Sequence, residues 1–136
     1  MLIEALIIGQ EITVPVLIDT ALPVVEIIPP AGQEFDYSNK YNGATTENCP
    51  PQFVSEDLQK QAQAIALEMH TVMGCRHFSR TDMIIDAASS TIFTLEINTL
   101  PGMTPESLFP RAAKTAGIEI SELVDKLVLE ALRYNT

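Results

Sequence analysis

The run Leu95-Glu96-Ile97-Asn98-Thr99-Leu100-Pro101-Gly102-Met103-Thr104 leaves the chain few local choices. It begins as a strand, because Phe93, Leu95 and Ile97 alternate with Thr94, Glu96 and Asn98. A period of two puts Glu96 and Asn98 on one face and the apolar set on the other. Two oxygen donors two residues apart at a strand end suit a hard cation such as Mg²⁺. Pro101-Gly102 then stops the strand. Thr104-Pro105-Glu106-Ser107 reads as a helix start, with a cap and a proline at the first helical position. A turn in that place can offer backbone N–H groups to an anion.

The rest of the chain supplies partners for this run. His77 to Asp86 reads as a strand with Arg80, Asp82 and Ile84 on one side, and Ala87 to Ser90 is a short polar turn. In the resulting hairpin, directly opposite residues share a face. One register pairs Asp82 with Glu96 and Arg80 with Asn98, which collects four polar groups in one patch. A slip of one residue separates them. The turn does not choose between the two, and the charges favour the first. Asp82, Glu96 and Asn98 then offer oxygens to Mg²⁺, Arg80 a fixed positive charge, and Gly102 an open amide. That set suits phosphoryl transfer. A salt-bridged hairpin, with Arg80 simply neutralising Asp82 and Glu96, explains the same residues and competes with it.

Before the hairpin, Met1 to Ile8 reads as a buried strand, Gly9-Gln10 as a turn and Glu11 to Ile18 as a second strand. Pro15 would place that strand at an edge or bulge. Leu22 to Ile28 completes an antiparallel meander. Gln33 to Phe53 is polar and aperiodic, a long loop of the kind that often serves as a lid. Lys40 and Tyr41 lie inside it, and the simplest use of the Tyr41 ring is to anchor the loop. Ser55 caps a helix running to Met73, with Gly74 as its stop. A short helical turn runs from Thr104 to Leu108, and Pro110 restarts a helix that ends at Gly117. Ser121 caps a last helix whose core stripe is Leu123, Val124, Leu127, Val128, Ala131 and Leu132.

Composition narrows the function classes. The net charge is −10, from 18 acidic against 8 basic residues, which argues against nucleic acid as a partner. Apolar runs are broken by Glu4, Gly9, Glu11 and Asp19, so no membrane span is expected. Cys49 and Cys75 read as plain thiols in a reducing compartment. No glycine-rich loop followed by lysine is present, so phosphate would find only Lys40 and Arg80 nearby.

Arg80-Thr81-Asp82, the run from Leu95 to Thr104, and Ser107-Leu108-Phe109-Pro110 resemble the C-terminal signature of the D-alanine–D-alanine ligases, an ATP-grasp family. The resemblance extends to Glu4 through Glu11, Pro23 to Pro30, Asp36-Tyr37 with Lys40-Tyr41, and Gly117-Ile118. It implies an α+β fold over residues 1–136, an antiparallel sheet flanked by helices, forming the C-terminal lobe of an ATP-grasp domain. The family's N-terminal domain and the first part of its ATP-grasp domain would precede this lobe, which is not expected to be active alone. The implied reaction joins two D-alanines through an acyl phosphate at the expense of ATP, in the cytoplasm, for peptidoglycan and cell-wall synthesis. The full-length family implies a homodimer.

Residue by residue, the resemblance places Glu4, Leu6 and Ile7 around adenine and Glu11 on the ribose hydroxyls. Lys40 approaches the phosphates, and Tyr41 joins a network near substrate. Asp82, Glu96 and Asn98 hold two Mg²⁺ ions, with Mn²⁺ as an alternative. Arg80 and the Gly102 amide stabilise the oxyanion, and Ser107 and Leu108 bind the carboxylate of the second D-alanine. Two alternatives stay open: a D-alanine–D-lactate type ligase, against which Tyr41 speaks, and a non-catalytic remnant. The second alternative carries a further expectation, an exposed sheet edge near Met1 that self-associates.

Overall fold

The structure, a computed structural model, describes residues 3–29 and 45–133. The strands are β1 (Gly9–Leu17), β2 (Thr20–Ala21), β3 (Val25–Ile28), β4 (Thr46–Asn48), β5 (Phe78–Asp86) and β6 (Ile92–Asn98). The helices are α1 (Glu56–Val72), α2 (Leu108–Thr115) and α3 (Ile120–Arg133). The sheet is antiparallel in the order β4-β3-β1-β5-β6, with β2 folded back on β1.

Register decides what each face carries. Glu11 pairs with Ile27 and Ile84, Thr13 with Val25 and Asp82, and Ile27 with Glu47. These residues share one face with Arg80, Glu96 and Asn98. The opposite face carries Ile12, Val14, Val16, Met83 and Ile85, which pack with Ala62 and Ala66 of α1 into the main core. A second core joins Leu17, Leu22 and Val25 to Phe109, Ala112 and Ala113 of α2 and Leu123 of α3. So α2 and α3 cover one end of the first face, and among the described residues the rest of it is open.

Several expectations are corrected. Residues 3–8 form no strand, and Ile3, Leu6 and Ile8 are 77%, 79% and 75% exposed. The ladder to β5 starts at Gly9 opposite Asp86, where β5 ends, so little remains for earlier residues to pair with. Gly9 is no turn. It sits inside β1, where an added Cβ would collide with the Ile85 carbonyl oxygen. Among the described residues the sheet edges are β4 and β6, and Met1, near which an exposed edge was expected, lies outside them. Pro15 lies in the central strand. Ile18 donates to His77 across the β5 side, so by alternation the missing N–H of Pro15 faces the other side. There the ladder is interrupted between Thr13–Val25 and Val16–Ala21.

The long loop contains β4, which pairs with β3. Helix α1 is capped at Ser55, whose hydroxyl accepts from the Leu58 amide at 3.4 Å. His70 on its inner face is buried with Nδ1 2.7 Å from Ser79 Oγ, and burial pushes its pKa below the ordinary imidazole value. Residues 104–107 form a turn, and α2 is one helix from Leu108. Pro110 fits in its first turn, where backbone N–H groups have no intrahelical acceptor. Helix α3 starts at Ile120, so Ser121 lies inside it. Of its expected stripe, Leu123 is buried and Leu127 packs on the second core, but Val124, Val128 and Leu132 are exposed.

Thr81 is fully buried and its hydroxyl has no hydrogen-bond partner among the described residues. It shares the α1-facing side with Met83. Thr81→Val keeps the shape and removes the unpaired group, so it is expected to stabilise the fold by about 1 kcal/mol. Urea unfolding checks this, and a lower midpoint for the variant refutes it.

Candidate functional site

The open face of the sheet holds two clefts. The first, about 930 Å³, is lined by Leu6, Ile7, Gly9, Glu11, Ile27, Ile84 and Leu95, among others. The second, about 500 Å³, is lined by Ile27, Glu47, Arg80, Asp82, Asn98, Gly102, Ser107 and Leu108, with Leu100, Thr104 and Glu106. Ile27 belongs to both, so they are neighbouring parts of one groove.

The hairpin register is the one that gathers the polar groups: Arg80 opposite Asn98 and Asp82 opposite Glu96. Between Asp82 and Met83 the register shifts, because Met83 pairs with Thr94 and Leu95 is the extra residue of a bulge. The simple alternation read from the sequence therefore holds from Glu96 to Asn98 and is inverted before Leu95. Phe93 pairs with Ile84 and lies on the open face, 41% exposed, while Thr94 and Ile92 lie on the core side. The bulge lets Ile92 pack into the main core while Glu96 faces the groove.

Arg80 grips Asp82 with two hydrogen bonds, Nε to Oδ1 at 2.8 Å and Nη2 to Oδ2 at 2.7 Å. The ion pair that competed with a metal site is therefore present. Burial opposes the Arg80 charge, but the hydrogen bonds and charge of Asp82, with Glu96 and Glu47, outweigh it and raise its pKa. Glu96 is exposed, and its carboxylate makes no hydrogen bond among the described residues. Asn98 Oδ1 accepts from the Leu100 amide at 2.9 Å. Among the described residues no three His, Cys, Asp or Glu side chains converge. The donor set is two carboxylates and one amide oxygen, all hard ligands, and Glu96 keeps its oxygens free. These residues fit Mg²⁺.

Gly102 lies against the start of α2, where an added Cβ would be 2.8 Å from Ser107 Oγ. Ser107 does not cap α2 with its side chain. Its hydroxyl turns back to Thr104, accepting from the amide at 3.2 Å and contacting Oγ1 at 2.9 Å. The first amides of α2 are thus left uncapped beside the second cleft.

A family model described as D-ala D-ala ligase C-terminus matches residues 1–129. The chain belongs to that family. Among relatives of this D-ala D-ala ligase C-terminus chain, the D-alanine–D-alanine ligase of Syntrophobacter fumaroxidans is 47% identical over 136 residues, covering 96% of this chain and 43% of that protein. The Bacillus anthracis D-alanine–D-alanine ligase, solved in complex with ATP, superposes with a TM-score of 0.77 at 32% identity, over 95% of this chain and 41% of that one. The D-Ala:D-Ser ligase of Enterococcus faecalis gives 0.76 at 32% identity, over 90% and 36%. The chain spans about two fifths of the length of these relatives. The shared fold is the α+β, antiparallel-sheet arrangement of the ATP-grasp ligases.

Of the residues singled out in this ligase-family chain, the second cleft brings together Arg80, Asp82, Asn98, Gly102, Ser107 and Leu108, with Glu96 across the ladder from Asp82. Leu6, Ile7 and Glu11 line the first cleft, and Glu4 is exposed and lines neither. Lys40 and Tyr41 lie outside the described residues. Sequence reasoning missed Glu47, which lines the second cleft and pairs with Arg111 of α2 at 3.0 Å. Burial pushes its carboxyl pKa up, against the charges of Arg111 and Arg80. It also missed Thr13. Thr13 is a polar residue in an apolar strand, and that was the available signal.

Proposed function

We propose that the chain is the ATP- and Mg²⁺-binding catalytic portion of a D-alanine–D-alanine ligase. The supporting observation is the continuity of the two clefts through Ile27. An apolar cleft suited to a nucleobase runs into a polar one that carries the carboxylates, Arg80 and the start of α2. Leu6 and Ile7 pack against adenine, and Glu11 accepts from the ribose hydroxyls. Asp82, Glu96 and Asn98 hold the cation, which when bound neutralises phosphate charge. Arg80 and the Gly102 amide face the oxyanion, and the Ser107–Leu108 turn receives a substrate carboxylate at uncapped amides.

In this reaction the carboxylate of the first D-alanine takes the γ-phosphoryl group of ATP and releases ADP. The amine of the second D-alanine attacks the carbonyl carbon, loses its proton, and phosphate leaves as the amide forms. The likeness to a D-Ala:D-Ser ligase keeps a second substrate other than D-alanine as the alternative reading.

Calorimetric titration of the chain with ATP, with and without Mg²⁺, tests the proposal. Binding that requires Mg²⁺ and is lost in Glu96→Ala is the expected result. A folded chain that binds no ATP, or binds it equally without Mg²⁺, overturns it.

A further inference from the structure

Thr13 stands on β1 directly across from Asp82 and is fully buried. Its hydroxyl donates to Asp82 Oδ1 at 2.6 Å, and the Thr81 carbonyl oxygen lies farther away at 3.2 Å. Arg80 alone grips Asp82 almost evenly, at 2.8 and 2.7 Å. Thr13 breaks that symmetry. Oδ1 receives two donors, Thr13 Oγ1 and Arg80 Nε, while Oδ2 receives only Arg80 Nη2. A carboxylate oxygen accepts at about two positions, so Oδ1 is full and Oδ2 keeps one open.

We propose that Thr13 is a positioning residue for the cation site, fixing Asp82 so that Oδ2 is the oxygen offered to a divalent metal. This rests on the metal reading given above. The alternate β1 positions facing α1 are Ile12, Val14 and Val16. A valine would fill the Thr13 position equally well, so it is the contact with Asp82 that gives the hydroxyl a use. Partners of metal ligands that hold no metal themselves commonly change metal affinity by about 10–100-fold when removed.

Manganese titration of the full chain, followed by electron paramagnetic resonance, reads the site without any turnover. Thr13→Val is expected to weaken Mn²⁺ binding by about tenfold or more. Thr13→Ser, which keeps the hydroxyl, is expected to stay near wild type. Thermal unfolding of each variant shows that it is folded, and Thr13→Ala replaces the valine variant if that one is not. Mn²⁺ binding by the folded valine or alanine variant as tight as wild type overturns the role of Thr13 and leaves the metal site standing. A folded wild-type chain that takes up no Mn²⁺ overturns both.

Discussion

Glu26→Ala is expected to be the most destabilising single change in this chain, at about 4 kcal/mol or more. Glu26 is fully buried on the α1-facing side of β3. Its carboxylate accepts from Gln10 Nε2 at 2.8 Å, Asn48 Nδ2 at 3.0 Å, the Gln52 amide at 3.1 Å and the Phe53 amide at 3.0 Å. One side chain thus ties together β1, β3, β4 and the segment that leads into α1. Removing it strands those donors in or near the interior. Domains of this size are stable by roughly 5–15 kcal/mol, so the loss takes a large share. Urea unfolding of wild type, Glu26→Gln and Glu26→Ala gives the comparison, with glutamine expected between the other two because it keeps one acceptor oxygen. An alanine variant as stable as wild type refutes the assignment. The effect reaches the groove, because β4 is held to β3 here and β4 carries Glu47.

The second large effect concerns Arg80. Arg80→Met is expected to cost about 3–5 kcal/mol, because it leaves the Asp82 carboxylate buried without its cation. Both side chains are only 12% exposed. The double variant Arg80→Met with Asp82→Leu is expected to regain most of that stability, since apolar replacements of a buried ion pair are often neutral or better. The same double variant is expected to lose Mg²⁺-dependent ATP binding completely. A double-mutant cycle in unfolding, set beside nucleotide titration, reads both effects. Recovery of stability without recovery of binding would mean that the pair is retained for what it binds. If the double variant is no more stable than Arg80→Met, the desolvation account of this pair fails.

The polar patch was legible before any coordinates, and for a physical reason. Arg80, Asp82, Glu96 and Asn98 make sense together on one face and poorly apart, and the register that unites them is the one found. Ser55, Glu56 and Asp57 marked the start of α1 by the same chemistry seen in the fold. The bulge at Leu95 was not legible, because Phe93-Thr94-Leu95 alternates as smoothly as a regular strand. It exists to reconcile two demands, Ile92 on the core and Glu96 in the groove, that only the folded sheet reveals. Pro15 misled because proline at a strand centre is tolerable only where a ladder happens to be broken, and the break lies in β2 and β3. Glu47 was hidden because a three-residue strand is too short to show a period.

The bulge also makes a measuring device of β6. Leu95 lines the first cleft, and its neighbour Glu96 stands in the carboxylate row. One peptide bond, about 3.8 Å from Cα to Cα, spans the distance between them. On the other side the two regions share Ile27. The apolar and the charged parts of the groove are therefore joined through covalent geometry rather than through adjustable side-chain packing. A floor of this kind works as a jig. On the proposed reading, it would keep the base end and the phosphate end of a nucleotide in one register along the floor of the groove.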